Sequence, residues 1–526
     1  MSSEYFWKIW IYLRKFSFFT ELAIALSPRK TYNPWHVNAS YLLAIDQGTS
    51  ATKTVLFDLQ GRIVRKASAP LPSHFPRAGF VEQDPEEIYS SVLSSVRDCL
   101  QGFEGTVAAC GISNQRETFL LWDSGGNPLG PAVVWQCKRS IGVCERLKSA
   151  GLEEDIRKRT GLIIDPYFSG TKLLWLRDNE TQVREALKRK EARFATVDAW
   201  LLHRLTGGKE YRTDFTNACR TLFFNLQTLD WDPVLLDRLG LEGLRLPQAH
   251  PSACLFGRTD FEGLLDSPVP ITALIGDSHA AAFAEGCFRA GTAKATLGTG
   301  SSILMNTEQR RVESRHGMVT TICWSASGRV DYALEGIIVT AGASIQWLRD
   351  ALGLFASSKD TEAMARAVPD NGGVYLIPAF SGLGAPHWKM AARAAILNLT
   401  FASTKNHVVR AALESIPYQI KDVIAAMEKD AGLPLQILYT DGGISSNEFV
   451  MNLLADLLDT PVAASGIEEV SALGAALLAG LGVGLYSGIA DIEALDLKRR
   501  RYDPGQNRFQ AQEGYRGWQE NVKRVF

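Results

Sequence analysis

Three times, at positions far apart in the chain, an apolar run ends in an aspartate beside small turn residues. YLLAIDQGTS ends on Asp46 and the turn Gly48, Thr49, Ser50; ALIGDSHAAAF ends on Gly276 and Asp277; ILYTDGG ends on Asp441, Gly442 and Gly443. A further glycine-rich turn, TLGTGSS, follows the second of these. Apolar runs closed by such residues read as strands. A strand-end carboxylate can hold a hydrated Mg²⁺, and a turn without bulky side chains lets main-chain N–H groups approach a phosphate. Taken singly, the Asp46 segment is equally compatible with a tight hairpin whose aspartate satisfies its own turn. Repetition of the pattern argues for a shared site. No G-x-x-x-x-G-K-[ST] occurs, which excludes a P-loop, and GLGVG near Gly482 follows a helical run rather than a strand, so it reads as helix packing and a C-terminal cap.

The rest of the chain alternates in the same way. From Tyr41 to Ser68 the sequence predicts a three-stranded meander turning at Gly61; helical periods follow at Pro85–Leu100 and Ile141–Lys148, then strand-like VAACGIS and FLLWD. After Gly286, TAKATLGTGSSILMN starts a second set, and the two halves begin alike. A chain of 526 residues exceeds one core. We therefore expect an N-terminal extension over 1–40, a first α/β domain over 41–288 and a second over 289–526, with a cleft between the two domains. In HVVRAALESIPYQIKDVIAAMEK one helical face is apolar, and Pro417 inside it predicts a kink.

Composition narrows the partners. The net charge is −1 with both signs interspersed, so no basic face offers itself to nucleic acid or to a membrane, and a small molecule is the expected ligand. Eight scattered cysteines without a C-x-x-C pair suit a reducing cytoplasm. The aromatic, basic start FWKIWIYLRKFSFF is too short to span a bilayer and lacks a small-residue cleavage box after Leu26; it reads as a poorly ordered extension.

From Tyr41 nearly to the end, the motifs GISNQRETFLLW, VVWQCKRS, GLIIDPYFSGTKLLWLRDN, TVDAWL, TDFTNACRT, YALEGIIVTAGASIQWLRD, NGGVYLIPAFSGLGAP and TDGGISSNEFVMN stand in the order shown by the FGGY carbohydrate kinases, which the chain resembles, the glycerol-phosphorylating branch above all. The resemblance implies an α/β fold of two actin-like (ribonuclease H-like) ATPase domains, ATP and Mg²⁺ as cofactors, a small polyol as substrate and a catalytic cleft between the domains. It also implies self-association as a homodimer or homotetramer. Arg116 and Glu117 would grip substrate hydroxyls, with Trp135 and Tyr167 as apolar walls; outside this motif, adjacent charges of opposite sign are usually a solvated surface pair. Asp277 would be the catalytic base, with Ser278 beside it on the substrate. Thr49, Ser50, Lys53 and Thr299 would meet the phosphates; Gly342, Gln346, Gly443 and Asn447 the rest of the nucleotide; and Asp46 would hold the metal through water.

Two departures concern the acceptor. Glutamine usually follows the catalytic aspartate and phenylalanine usually lies two residues after the GTG glycine; here these are Ser278 and Ser302. Both replacements are smaller, which predicts a roomier, more polar pocket able to take a four- or five-carbon polyol or a ketose. His279 is expected to be a satisfied structural histidine, with a substrate hydrogen bond as the alternative. A reading from another class, an actin-like nucleotide-binding protein without an acceptor, is opposed by Asp277 beside an intact polyol grip.

Overall fold

The run from Ser40 to Pro70 folds as the expected antiparallel meander: β1 (Ser40–Gln47), β2 (Ala51–Phe57) and β3 (Ile63–Pro70), with Gly61 at φ 76° in the second turn. Leu42 to Ile45 are fully buried on both faces of β1, which is what a central strand covered by helices on each side requires. On the other side of β1, β4 (Thr106–Asn114) and β6 (Val269–Gly276) add in parallel, and β5 (Ala253–Thr259) closes the edge, giving the order β5-β6-β4-β1-β2-β3. The computed structural model describes residues 40–526. The expected extension over 1–40 therefore falls, but for Ser40, outside the described residues.

The second half repeats this arrangement. β7 (Thr292–Leu297), β8 (Ser301–Glu308) and β10 (Arg329–Ile338) pair antiparallel, while β11 (Ile437–Asp441) and β12 (Val462–Ser465) add in parallel to β7. With β9 (Val319–Ala326) and β13 (Arg499–Tyr502) at the edges, the order is β9-β10-β8-β7-β11-β12-β13. Parallel register brings the chemistry together. Asp46 pairs with Ser113 and Gly276 with Asn114 at the ends of the first sheet, and Thr296 with Asp441 at the end of the second.

Between the sheets lie two small-residue helices, α5 (Asp277–Ala284) and α9 (Val470–Gly482). A Cβ at Gly474 would collide with the Ala280 carbonyl, and one at Gly111 of β4 with the Ala475 carbonyl, so the glycines allow backbone to touch backbone. A Cβ at Gly482 would lie 2.6 Å from the Thr272 carbonyl, in keeping with its packing role. Although α9 comes late in the chain, it packs on β1, β4 and β6 of the first sheet. The α5 helix, which begins with Asp277, is thus clamped between α9 and core residues of the second sheet such as Leu304 and Ala333.

The other elements used below are α1 (Pro85–Leu100), α2 (Ser169–Asn179), α3 (Val197–Leu205), α4 (Phe215–Ala218), α6 (Gly342–Asp350), α7 (Lys405–Ala431) and α8 (Glu448–Leu458). Helix α7 runs through Pro417 without a break. Proline removes one N–H and crowds the preceding turn, but Leu413, Ile416, Pro417 and Ile420 are all buried in the second core, and that packing holds the helix together. Among the described residues no helix is long and apolar enough to cross a membrane.

Candidate active site

β4 delivers Asn114, Gln115, Arg116 and Glu117 to the carboxyl end of the first sheet. There the backbone makes a γ-turn of the strained hand: Thr118 N–H donates to the Arg116 carbonyl at 2.7 Å, and Glu117 has φ 60°. A non-glycine residue in that region costs of order 1–3 kcal/mol and persists where the surroundings over-determine it. The surroundings here are four charges. Arg116 and Glu117 are both buried, and each pairs with a more distant residue rather than with its neighbour. Arg116 donates from Nη1 to Glu335 Oε1 at 2.7 Å and from Nε to Asp277 Oδ1 at 3.1 Å. Arg220 donates from Nε to Glu117 Oε1 at 2.6 Å, and its Nη2 lies 2.5 Å from Glu335 Oε2.

Glu335 and Arg220 complete this array and were not singled out by the sequence. Burial opposes ionisation of Glu335, yet Arg116 and Arg220 beside it hold its carboxyl far below the ordinary carboxylate range. For Glu117 the balance differs: burial outweighs Arg220 and Arg116 and raises its pKa. The available signal was a charged residue inside the otherwise apolar strand YALEGII. A buried charge in such a place must be paired.

The aromatic residues stand next to the array. Trp135 and Tyr167 meet edge to face at 5.6 Å, and the Arg220 guanidinium sits 5.1 Å over the Phe168 ring. Trp135 Nε1 donates to Thr49 Oγ1 at 2.9 Å, which ties the wall to the β1–β2 turn. Burial holds the Tyr167 phenol well above its usual pKa, so it remains a hydroxyl.

Asp277 opens α5 with its side chain 41% exposed, the one member of the ion-pair set open to solvent. Its Oδ1 accepts from Arg116 and from the Ser278 N–H at 2.6 Å. Asp46, at the end of β1, accepts from Ser113 Oγ at 3.0 Å. Surrounding protein and then the Asp277 charge push the Asp46 carboxyl up to about 6. These two carboxylates, 231 positions apart in the sequence, therefore share one electrostatic space. The Asp277 charge also reaches Asp441, whose pKa is raised chiefly by burial.

Beneath Asp277 runs a polar chain across the two halves. Buried Lys294 donates to Ser278 Oγ at 2.9 Å, Ser278 Oγ to Ser302 Oγ at 3.1 Å, and Ser302 Oγ to Glu335 Oε1 at 2.9 Å. His279 is fully buried, with Nε2 3.3 Å from Thr321 Oγ1 and Nδ1 without a partner; burial and then Arg116 hold it neutral. It has no solvent-facing surface.

The remaining sequence-predicted residues lie on turns. Ser50, Thr299, Gln346 and Gly443 are exposed; Thr49, Gly342 and Asn447 are half-buried. Gly342 starts α6, its N–H donating to Gly298 O at 2.9 Å, and Asn447 caps α8 by accepting from Val450 N–H. Gly442, at φ 90°, needs its glycine because a Cβ would lie 2.5 Å from the Leu297 carbonyl. Lys53 turns its ammonium to Glu469, 2.7 Å away, just ahead of α9.

Sequence and fold comparisons identify the family. The FGGY family of carbohydrate kinases matches through its N-terminal domain over residues 41–284 and its C-terminal domain over 293–483. The glycerol kinase of Carboxydothermus hydrogenoformans is 46% identical over 489 residues, 92% of this chain and 98% of that enzyme. Glycerol kinase 2 of Thermotoga maritima is 44% identical over 488 residues, with 92% and 98% covered. Among solved structures, Plasmodium falciparum glycerol kinase with ADP superposes at a TM-score of 0.87 and 31% identity, covering 93% of this chain and 98% of that one. The xylulose kinase of Lactobacillus acidophilus shares the fold at a TM-score of 0.85, 24% identity and coverage of 92% and 98%.

Proposed function

The chain belongs to the FGGY family of carbohydrate kinases, and from that premise we propose that it transfers the γ-phosphoryl group of ATP to a terminal hydroxyl of glycerol, forming sn-glycerol 3-phosphate and ADP. The observation that carries this reading is the buried array Arg116, Glu117, Arg220 and Glu335 standing beside a single open carboxylate, Asp277. A polyol offers only hydroxyls and C–H faces. Recognition therefore needs fixed donors and acceptors for the hydroxyls and flat apolar surface for the carbon chain. In this reading Arg116 and Glu117 take the hydroxyls, and Trp135 and Tyr167 flank the carbons.

Asp277 accepts the proton of the attacking hydroxyl. Its Oδ1 is committed to Arg116 and the Ser278 N–H, which orients the carboxylate and leaves Oδ2 for the substrate. Phosphoryl transfer depends mainly on in-line positioning and neutralised phosphate charge. The turns at Thr49–Ser50 and Gly298–Gly300 supply N–H and hydroxyl donors to the phosphates, and Gly342, Gln346, Gly443 and Asn447 border the nucleotide. Lys53 reaches a phosphate only by leaving Glu469. The residues present also suit a divalent cation: Asp46 carries a carboxyl raised by protein contact and by the Asp277 charge, a strain that a cation relieves. Mg²⁺ held there through water would neutralise the phosphate charge. Closure of the two halves over the bound substrates would exclude water as a competing acceptor.

A second reading, supported by the Ser278–Ser302 contact, keeps the reaction and enlarges the acceptor. In this reading two small hydroxyl side chains floor the pocket, and a four- or five-carbon polyol or a ketose has hydroxyls to spend on them. ATP turnover against glycerol, erythritol, xylitol, dihydroxyacetone, erythrulose and xylulose separates the two. Glycerol leading in kcat/KM supports the first; a larger acceptor leading replaces it with the second, and turnover indifferent to every polyol refutes both.

A further inference from the structure

Lys172 lies in the first turn of α2 and is fully buried. An ammonium there is doubly disfavoured, by loss of water and by the positive end of the helix dipole. Something must hold it. Its Nζ donates to the main-chain carbonyls of Tyr167 at 2.7 Å, Pro166 at 3.0 Å and Trp135 at 3.4 Å. Three hydrogens thus meet three carbonyls, and two of those carbonyls belong to the aromatic residues bordering the acceptor pocket.

Those residues come from separate segments. Trp135 is in the loop ahead of the helix starting at Ile141, and Tyr167 immediately precedes α2. Apart from their edge-to-face ring contact, the Lys172 ammonium is the group that touches the main chain of both. We infer that Lys172 is a positioning residue that sets the spacing of Trp135 and Tyr167 through their carbonyls, and so governs polyol affinity rather than the phosphoryl-transfer step. The inference rests on the reading that these rings flank the polyol.

The ammonium is also poised to respond to pH. Burial lowers its pKa to about 7. Of the charged and titratable groups facing it, Glu117, Cys137 and Asp165 favour the charged form, and Lys138 opposes it. Above that pH a neutral amine keeps two hydrogens for three carbonyls. The longest contact, to Trp135, is the first to be lost. Polyol affinity therefore falls as pH rises through neutrality. Ionisation of Glu117 works in the opposite direction, since a carboxylate accepts hydroxyl hydrogens better than a carboxylic acid does.

The test compares the wild type with Lys172→Met and Lys172→Gln, measuring KM for glycerol, KM for ATP and kcat from about pH 6.5 to about pH 8.5, a window that spans the lysine titration. Loss of hydrogen bonds to a charged donor predicts a glycerol KM raised about tenfold in Lys172→Met, with kcat and ATP KM within about twofold of wild type. The rise of glycerol KM with pH seen in the wild type should vanish in that variant, and Lys172→Gln, which keeps two donors, should fall between. An unchanged glycerol KM in Lys172→Met overturns the inference, as does a parallel loss in all three constants. If neither variant folds, the wild type decides: a glycerol KM that stays flat or falls with pH overturns it. A wild type that binds ATP but no polyol at any pH removes the polyol reading itself, a result distinct from either of these.

Discussion

The proposed acceptor side and the proposed nucleotide side of the site are built from different materials. On the acceptor side, Arg116, Glu117, Arg220 and Glu335 are each no more than 5% exposed and reach one another from three separate segments. On the proposed nucleotide side, Ser50, Thr299, Gln346, Gly442 and Gly443 are exposed and sit on turns or at a helix start. A neutral polyol gives little binding energy, so its partners must be fixed before it arrives. A polyphosphate is met well enough by N–H groups on turns that are free to adjust. The buried array also spans the two halves, because Glu335 of β10 binds arginines from the first half.

If this contrast holds, single side-chain changes are severe on the acceptor side and mild on the other. The largest effect belongs to Asp277→Asn. A positioned base contributes about 10²- to 10⁴-fold, so kcat should fall by that factor. Folding should be nearly untouched, because the side chain is 41% exposed. Steady-state kinetics and a thermal melt on the same sample check both halves of the statement, and turnover near wild type would remove Asp277 from its role.

Glu335→Gln comes next. It leaves Arg116 and Arg220 buried without their common counter-charge, and breaking a buried pair costs about 3–5 kcal/mol. The expected outcome is a marked drop in the denaturation midpoint together with loss of polyol binding. An equally stable variant would show that the array is wetter than its geometry implies.

Behind the array lies a pH-dependent support. Asp198 of α3 is fully buried, accepts from Thr196 Oγ1 and Thr213 Oγ1, each at 2.6 Å, and adjoins Asp214. Asp214 holds Thr216 Oγ1, which in turn accepts the Gly276 N–H next to the base. Burial and then the Asp214 charge raise the Asp198 carboxyl from 3.8 to about 7. The folded state then keeps a proton that the unfolded chain releases, so this contribution to stability is full near pH 4 and is lost as pH rises to 7. The upper bound on the loss is roughly 4 kcal/mol. Asp198→Asn removes the titration. Relative to wild type, the variant should gain stability as pH is raised from about 4 to about 8. Denaturant midpoints at the two pH values measure it, and a constant difference between the proteins refutes the proton-linked support.

The sequence carried the scaffold more fully than the wiring. The meander turning at Gly61, the helix Pro85–Leu100 and the strand ends at Asp46, Asp277 and Asp441 were legible because each follows from local periodicity and turn chemistry. Pro417 interrupts no helix, because packing in the second core offsets what the proline costs locally. What stayed hidden was non-local. Arg116 and Glu335 are separated by 219 positions, and the return of α9 to the first sheet leaves no mark in either segment. Lys172 was hidden for a related reason: a lysine in a helical run reads as solvated surface until three carbonyls are seen around it.

Lys53 gives the smallest predicted effect and the sharpest test of the contrast. Its place after the Thr49–Ser50 turn suggests a phosphate ligand, yet its Nζ is paired with Glu469 at 2.7 Å and the side chain is 42% exposed. Lys66 also lies 3.9 Å from Glu469, so that carboxylate already has a second cation. Glu469 is only 10% exposed, but the lysine end of the pair lies in solvent, where such pairs contribute about 0–1 kcal/mol and weaken with salt. Lys53→Met should therefore lower stability by no more than about 1 kcal/mol and change the ATP KM by less than about threefold, within the range expected for an exposed charge. A tenfold or larger rise in ATP KM with a fall in kcat would mean that Lys53 leaves Glu469 in the closed state and that the nucleotide side too depends on a charged side chain. Repeating the assay at raised ionic strength separates the two outcomes: a pair confined to the surface loses what little it contributes, whereas a lysine enclosed against a phosphate keeps most of its effect.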